Sequence, residues 1–378
     1  MAGIYIHIPF CKTRCIYCDF YSTTLVNGWK ERFVNALCKE IEMRKEYLDG
    51  RCIDTVYFGG GTPSLLSAED FAVIFDCLSK CFDLSQCTEI TLEANPDDLT
   101  LSYLKELSAL PFNRISMGVQ TFDNRSLSLL NRRHTAEQAI EAVRASREVG
   151  FRNLSIDLIY GLPGESENQW QTDLEQAIAL HPEHISAYHL TYENGTPLER
   201  MLRKKQVSEV SEETSLHFFT SLVETLTKAG YEQYEISNFC RTGLQSRHNS
   251  SYWQGVHYLG LGPSAHSFNG TSRSWNVAAI KEYVVAIERC LLPLETEKLS
   301  LTTRYNERII TALRTSVGLS ISELKEDFGD EWKSYCLAMA DPHLRAGRLK
   351  LEKDRLRLTQ SGIFLSDGIM SDLLYVDD

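Results

Sequence analysis

Apolar and polar positions in the first half of the chain switch repeatedly between a two-residue and a helical period. Ile4 to Ile8 reads as a strand, and Trp29 to Lys45 then sets Trp29, Phe33, Leu37 and Ile41 on one helical face. Thr55 to Phe58 is a short apolar strand that ends in Gly59-Gly-Gly-Thr-Pro63, followed by a helix with Phe71, Ile74, Phe75 and Leu78 at core spacing. Two further strands follow, Glu89 to Leu92 and Arg114 to Val119. Thr135 and Gln138 form a capping box for the next helix, with Gly150 as its stop. Leu154 to Ile159 is the fifth strand. Ser166 and Gln169 then cap a helix that faces Trp170, Leu174 and Ile178 inward, and Ile185 to Leu190 is the sixth strand.

Strands that alternate with helices imply a parallel sheet, because parallel neighbours need crossover connections. Six such units close, or nearly close, into a barrel or three-quarter barrel, an α/β fold. The rest of the chain reads differently. Ser211 to Ala229 is one more helix and Gly230 to Ile236 one more strand, before a Gly- and aromatic-rich segment from Arg247 to Trp275. From about Leu299 the pattern is helical, closing on a hairpin in which Leu349, Leu351, Leu356 and Leu358 flank a Lys353-Asp354 turn. The expected organisation is a barrel core over 1–236, a connecting segment over 237–298, and a small winged-helix-like α+β domain over 299–378.

Composition narrows the function classes. The formal net charge is −12, a poor match for nucleic acid or an anionic membrane surface. No run of eighteen apolar residues offers a membrane span, and no secretory signal precedes the first strand. Eleven cysteines, an odd number, suit a reducing cytoplasm better than a disulfide framework.

Chemistry concentrates at the strand ends. Cys11, Cys15 and Cys18 stand in a C-x3-C-x2-C spacing on the first loop. That is one thiolate fewer than a four-iron cluster takes, so one iron would stay open to a small molecule. A zinc site short of its fourth ligand is the rival reading. A second trio, Cys77, Cys81 and Cys87, lies on and after an amphipathic helix and reads as buried small residues. The triple-glycine loop, Glu93, Gln120 and Asp157 fall at or near the ends of successive strands, the rim where barrels of this kind bind ligands. Farther on, His248 stands beside Tyr252 and Trp253. It is either a hydrogen-bonded structural histidine or a heme ligand, with His257 and His266 as weaker alternatives.

These motifs, in this order, resemble the radical S-adenosylmethionine (SAM) superfamily. Within it, Tyr5-Ile-His-Ile-Pro-Phe-Cys11, Gly59-Gly-Gly-Thr-Pro-Ser64, Leu92-Glu-Ala-Asn-Pro96, Asn113-Arg-Ile-Ser-Met-Gly-Val-Gln120 and Asp157-Leu-Ile-Tyr-Gly-Leu-Pro163 resemble the anaerobic coproporphyrinogen III oxidase family. The resemblance implies a three-quarter (β/α)6 barrel with an accessory C-terminal domain. It implies a [4Fe-4S] cluster on Cys11, Cys15 and Cys18, and SAM contacts at Tyr5, Gly60, Gly61, Thr62, Glu93, Gln120, Arg132 and Asp157. The oxidases carry another cysteine two residues after the third, where this chain has Phe20. With the His248-Asn-x-x-Tyr-Trp253 segment, that departure favours the family's heme chaperone branch over porphyrinogen decarboxylation. The branch implies heme as ligand, with His248, Tyr252 and Trp253 as its candidate contacts, and transfer to respiratory acceptor proteins. It also allows a homodimer and a passing contact with a membrane surface. The alternative is an oxygen-independent coproporphyrinogen III oxidase of porphyrin metabolism, which works through a 5′-deoxyadenosyl radical.

Overall fold

The computed structural model describes residues 1–26 and 28–376. Its strands are β1 (Ala2–Ile8), β2 (Ile53–Gly60), β3 (Glu89–Ala94), β4 (Arg114–Gln120), β5 (Asn153–Tyr160), β6 (His184–His189), β7 (Glu232–Glu235), β8 (Asn238–Cys240), β9 (Tyr258–Leu261), β10 (His266–Phe268), β11 (Ser272–Asn276), β12 (Leu294–Lys298), β13 (Leu319–Ser320), β14 (Leu349–Glu352) and β15 (Arg355–Leu358). The first twelve make one sheet in the order β12-β11-β10-β9-β1-β2-β3-β4-β5-β6-β8-β7. The expected run β1 to β6 is parallel and consecutive, as the strand–helix rhythm requires. It is an α/β barrel of the TIM-like type that does not close on itself.

Residues 237–298 are more than a connector. β9 pairs in parallel with β1, and β10 to β12 continue outward as antiparallel strands. At the other margin β8 and β7 add antiparallel strands beyond β6. Two ties hold the β9 margin in place. The carboxylate of Glu40, on helix Lys30–Met43, accepts from Gly262 N (2.8 Å), Asn276 Nδ2 (2.7 Å) and Tyr283 Oη (2.6 Å). Arg44 just beyond it donates to Gly260 O (2.9 Å) and Ser267 Oγ (3.0 Å). Both charged side chains are buried, so losing either partner leaves an uncompensated ion, which typically costs about 3–5 kcal/mol. Gly260 is required at its position, since an added Cβ would lie 2.0 Å from His266 O on the neighbouring β10.

Side chains alternate along each inner strand. Ile4, Ile6, Val56, Phe58, Ile115, Met117, Leu154 and Ile156 point outward and are fully buried under the helices. The other set points into the barrel and is largely polar. The helices start where the caps require: Thr135 and Gln138 form both bonds of a capping box, and Ser166 Oγ accepts from Gln169 N. Trp170 is wholly buried, and its indole donates to Phe218 O at 3.0 Å, locking two outer helices together. Beyond Lys298, helices and the three-stranded antiparallel sheet β13-β15-β14 enclose a separate core around Tyr305, Ile309, Leu324 and Leu356. Lys353 and Asp354 make the hairpin turn, both with positive φ.

Candidate functional site

The loop after β1 brings Cys11, Cys15 and Cys18 to the edge of a cavity of about 550 Å³ in the barrel mouth. Cys11 Sγ lies 3.5 Å from Thr62 Oγ1, and Arg132 Nη1 donates to Cys15 Sγ at 3.3 Å. Burial, with the other two sulfurs nearby, pushes the Cys18 thiol up to about 11. Among the described residues no group of three His, Cys, Asp or Glu side chains is arranged to hold a metal ion. A four-iron cube instead takes one sulfur per corner.

The same cavity is lined by Gly61, Thr62, Glu93, Gln120, Arg132 and Asp157, six of the residues singled out from the sequence. At Gly61 an added Cβ would sit 2.7 Å from Phe10 O, so the backbone itself approaches the cysteine loop. Gln120 adopts φ +70 at a bulge in β4, a conformation that costs energy for a residue with a Cβ. Arg132 also contacts Asn95 Oδ1 and Gly118 O, yet its buried Nε has no partner. Glu93 accepts from Tyr57 Oη (2.7 Å) and Gly60 N (3.1 Å). Burial, reinforced by the charge of Asp157, still raises its carboxyl to about 7. Asp157 is likewise raised from its ordinary value by burial, with hydrogen bonds from Ser186 and Ser116 (Oγ at 3.3 Å) and the charges of Arg114 and Arg132 opposing the shift. It lies inside β5, deeper than the strand end the periodicity suggested.

Two of the sequence candidates do not line this cavity. Gly60 contributes its N–H to Glu93 and takes φ +107 with the His7 ring beneath it. Tyr5 turns toward β9, bonds His7 Nδ1 at 3.1 Å, and lines a different cleft. Arg114 went unnoticed in the sequence, where it reads as a polar flank to an apolar run. It is 1% exposed on the cavity floor, and its Nε and Nη1 have no partner. Tyr57, Asn95 and Ser186 join it there.

His248 occupies the wall behind the floor. Its Nδ1 bonds Thr55 Oγ1 and its Nε2 bonds Tyr252 Oη, both at 2.8 Å. Burial, with the Arg114 charge, pushes the imidazole down to about 3. Both nitrogens are therefore engaged in a neutral ring, the geometry of a hydrogen-bonded core histidine rather than an open iron ligand. The ring stacks on Tyr57 (5.0 Å) and Tyr5 (6.4 Å). Tyr57 lines the cavity, whereas Tyr5, Tyr252 and Trp253 line a second cleft of about 800 Å³ between the barrel and the C-terminal domain.

An open parallel barrel with three cysteines on its first loop defines a radical SAM protein, and the Radical SAM superfamily model matches residues 5–177. The HemN C-terminal domain model matches residues 299–365. Heme chaperone HemW of Mycobacterium tuberculosis is 34% identical over 98% of this chain and 94% of its own length. Heme chaperone HemW of Bacillus subtilis is 30% identical over 99% of each. The chain belongs to the HemW branch of the HemN family. Coproporphyrinogen III oxidase (HemN) from Escherichia coli shares its fold, with a TM-score of 0.86 and 24% identity over 98% of this chain and 89% of that one. Radical SAM membership implies a [4Fe-4S] cluster and SAM, and the donors fit both. Three thiols face one cavity, and the unpartnered Nε atoms of Arg132 and Arg114 stand ready for an acceptor.

Proposed function

We propose that this chain is a cytoplasmic heme chaperone that binds heme, carries a [4Fe-4S] cluster with SAM, and passes heme to respiratory acceptor proteins. What carries this reading is likeness to curated heme chaperones along the whole chain, at 34% and 30% identity, combined with Phe20 in place of the oxidases' extra cysteine. In this reading Cys11, Cys15 and Cys18 hold the cluster. When bound, cluster and SAM supply one-electron chemistry. Glu93 pairs its carboxylate with the cationic side of SAM, Arg132 donates to an anionic group, and the Gly60-Gly61-Thr62 backbone supplies further donors. Gln120 and Asp157 complete the contacts, and Tyr5 acts from behind through the Tyr57 stack. No helix among the described residues is long and apolar enough to cross a membrane.

Anaerobic reconstitution tests this. The protein is expected to bind heme stoichiometrically, and to leave coproporphyrinogen III unchanged with reductant and SAM present. Sustained formation of protoporphyrinogen IX would replace the chaperone reading with that of the oxidase.

A further inference from the structure

We infer that heme sits in the cleft between the barrel and the C-terminal domain, with His266 as its iron ligand and Arg304 and Arg308 holding its propionates. The inference rests on the chaperone reading and gives its cargo a place. The cleft encloses about 800 Å³, within the roughly 300–1,000 Å³ of small-molecule sites. One side is aromatic: Tyr258 and Phe268 lie 6.1 Å apart at a shallow 34° tilt, and Tyr252 meets Tyr258 edge-on at 4.6 Å. Such a surface suits a flat macrocycle.

Two histidines line the cleft. His7 is committed, with Nδ1 bonded to Tyr5 Oη and Nε2 to Tyr21 O at 2.9 Å. His266 sits exposed on β10, and neither ring nitrogen has a hydrogen-bond partner among the described residues. Partial burial and the Arg273 charge hold its imidazole below the usual range, in the neutral form that binds iron.

The opposite side combines Arg273 of β11 with Arg304, Arg308 and Asp327 of the C-terminal domain. Arg273 is paired with Glu307 at 2.8 Å, and Arg308 Nη2 with Glu323 at 2.6 Å. Arg304 lies over the Phe328 ring at 5.9 Å and has no ion-pair partner among the described residues. Asp327 is the other carboxylate facing the space, so three guanidiniums stand against three acids, and Arg304 is the one without an ion-pair partner among the described residues. Two buried donors there lack acceptors: Arg308 Nε and Trp253 Nε1. Buried N–H groups are rarely left unpaired, and a ligand carrying carboxylates would satisfy them. A porphyrin with an iron centre and two propionates meets the imidazole, the aromatic side and the cationic side together.

Titrating the full-length protein with hemin and with iron-free protoporphyrin tests this, with circular dichroism as the check on folding. His266→Ala should weaken hemin binding roughly tenfold or more and remove the signature of axial imidazole ligation from the Soret and magnetic circular dichroism spectra. It should leave iron-free protoporphyrin binding unchanged. Arg304→Ala should weaken both ligands roughly tenfold, while affinity for the porphyrin dimethyl ester stays the same. If the wild type binds heme and the His266→Ala spectrum and affinity are unaltered, the placement is wrong although the chaperone reading stands. If the wild type binds no heme, the chaperone reading itself fails.

Discussion

The barrel cavity and the interdomain cleft share one sheet, yet they are built by opposite means. The cavity gathers buried charge: Glu93, Asp157, Arg114 and Arg132 all face it, with donor atoms left unpaired. The cleft places aromatic rings on one side and half-exposed arginines on the other. The difference follows from which strands contribute. β3 to β5 turn Glu, Arg, Gln and Asp inward, whereas β1, β9 and β10 contribute Tyr, Phe and His. A small cofactor with fixed charges is held by preorganised charge at a cost in stability. A large flat ligand is held by apolar area with polar groups at its ends.

The sharpest way to separate the two regions is to replace Cys11, Cys15 and Cys18 together by alanine. Cluster iron and sulfide should vanish while hemin affinity survives, and loss of hemin binding as well would merge the two regions into one site. Next in size is His248→Ala, which leaves Thr55 and Tyr252 without their partner. We expect a loss of about 3–5 kcal/mol in urea unfolding with the bound-heme spectrum unchanged. An altered spectrum with intact stability would make His248 an iron ligand.

Glu93 sharpens the contrast through pH. Its ordinary value is 4.5, and burial raises it to about 7 in the fold. Between those values the native state holds a proton that the unfolded chain has released. Stability of the ligand-free protein should therefore fall as pH rises through this window, by about 3 kcal/mol. Glu93→Gln should remove that slope and weaken SAM binding, with hemin titrations unaffected; an unchanged slope would mean that the cavity carries no such cost. The smallest effect belongs to the scaffold. Thr135→Ala removes a capping box whose residues line neither region and should cost about 1 kcal/mol with both ligand affinities unchanged.

Much of this was legible in the sequence, for reasons that also explain what was not. The six parallel strands showed because each apolar run is followed by an amphipathic helix, several with recognisable caps. The cysteine loop and the glycine turn showed because their chemistry is local. β9 and β10 span only four and three residues, too short for a two-residue period to register. The partner of β9 lies some 250 positions earlier, at Gly3 to Ile6. Arg114 was missed because an arginine before an apolar run looks like a surface flank until the sheet curves around it. The cleft was missed because it exists only where three distant stretches meet.

The rings of Tyr5, Tyr57 and His248 stack on one another. One end of this stack faces the cofactor compartment and the other faces the cleft, so both share a single partition. A tilt of that partition imposed by one guest would be felt by the other. By thermodynamic reciprocity, whatever factor SAM applies to heme affinity, heme must apply to SAM affinity. Loading and release of the cargo would then be legible as a change in how tightly the cofactor is gripped.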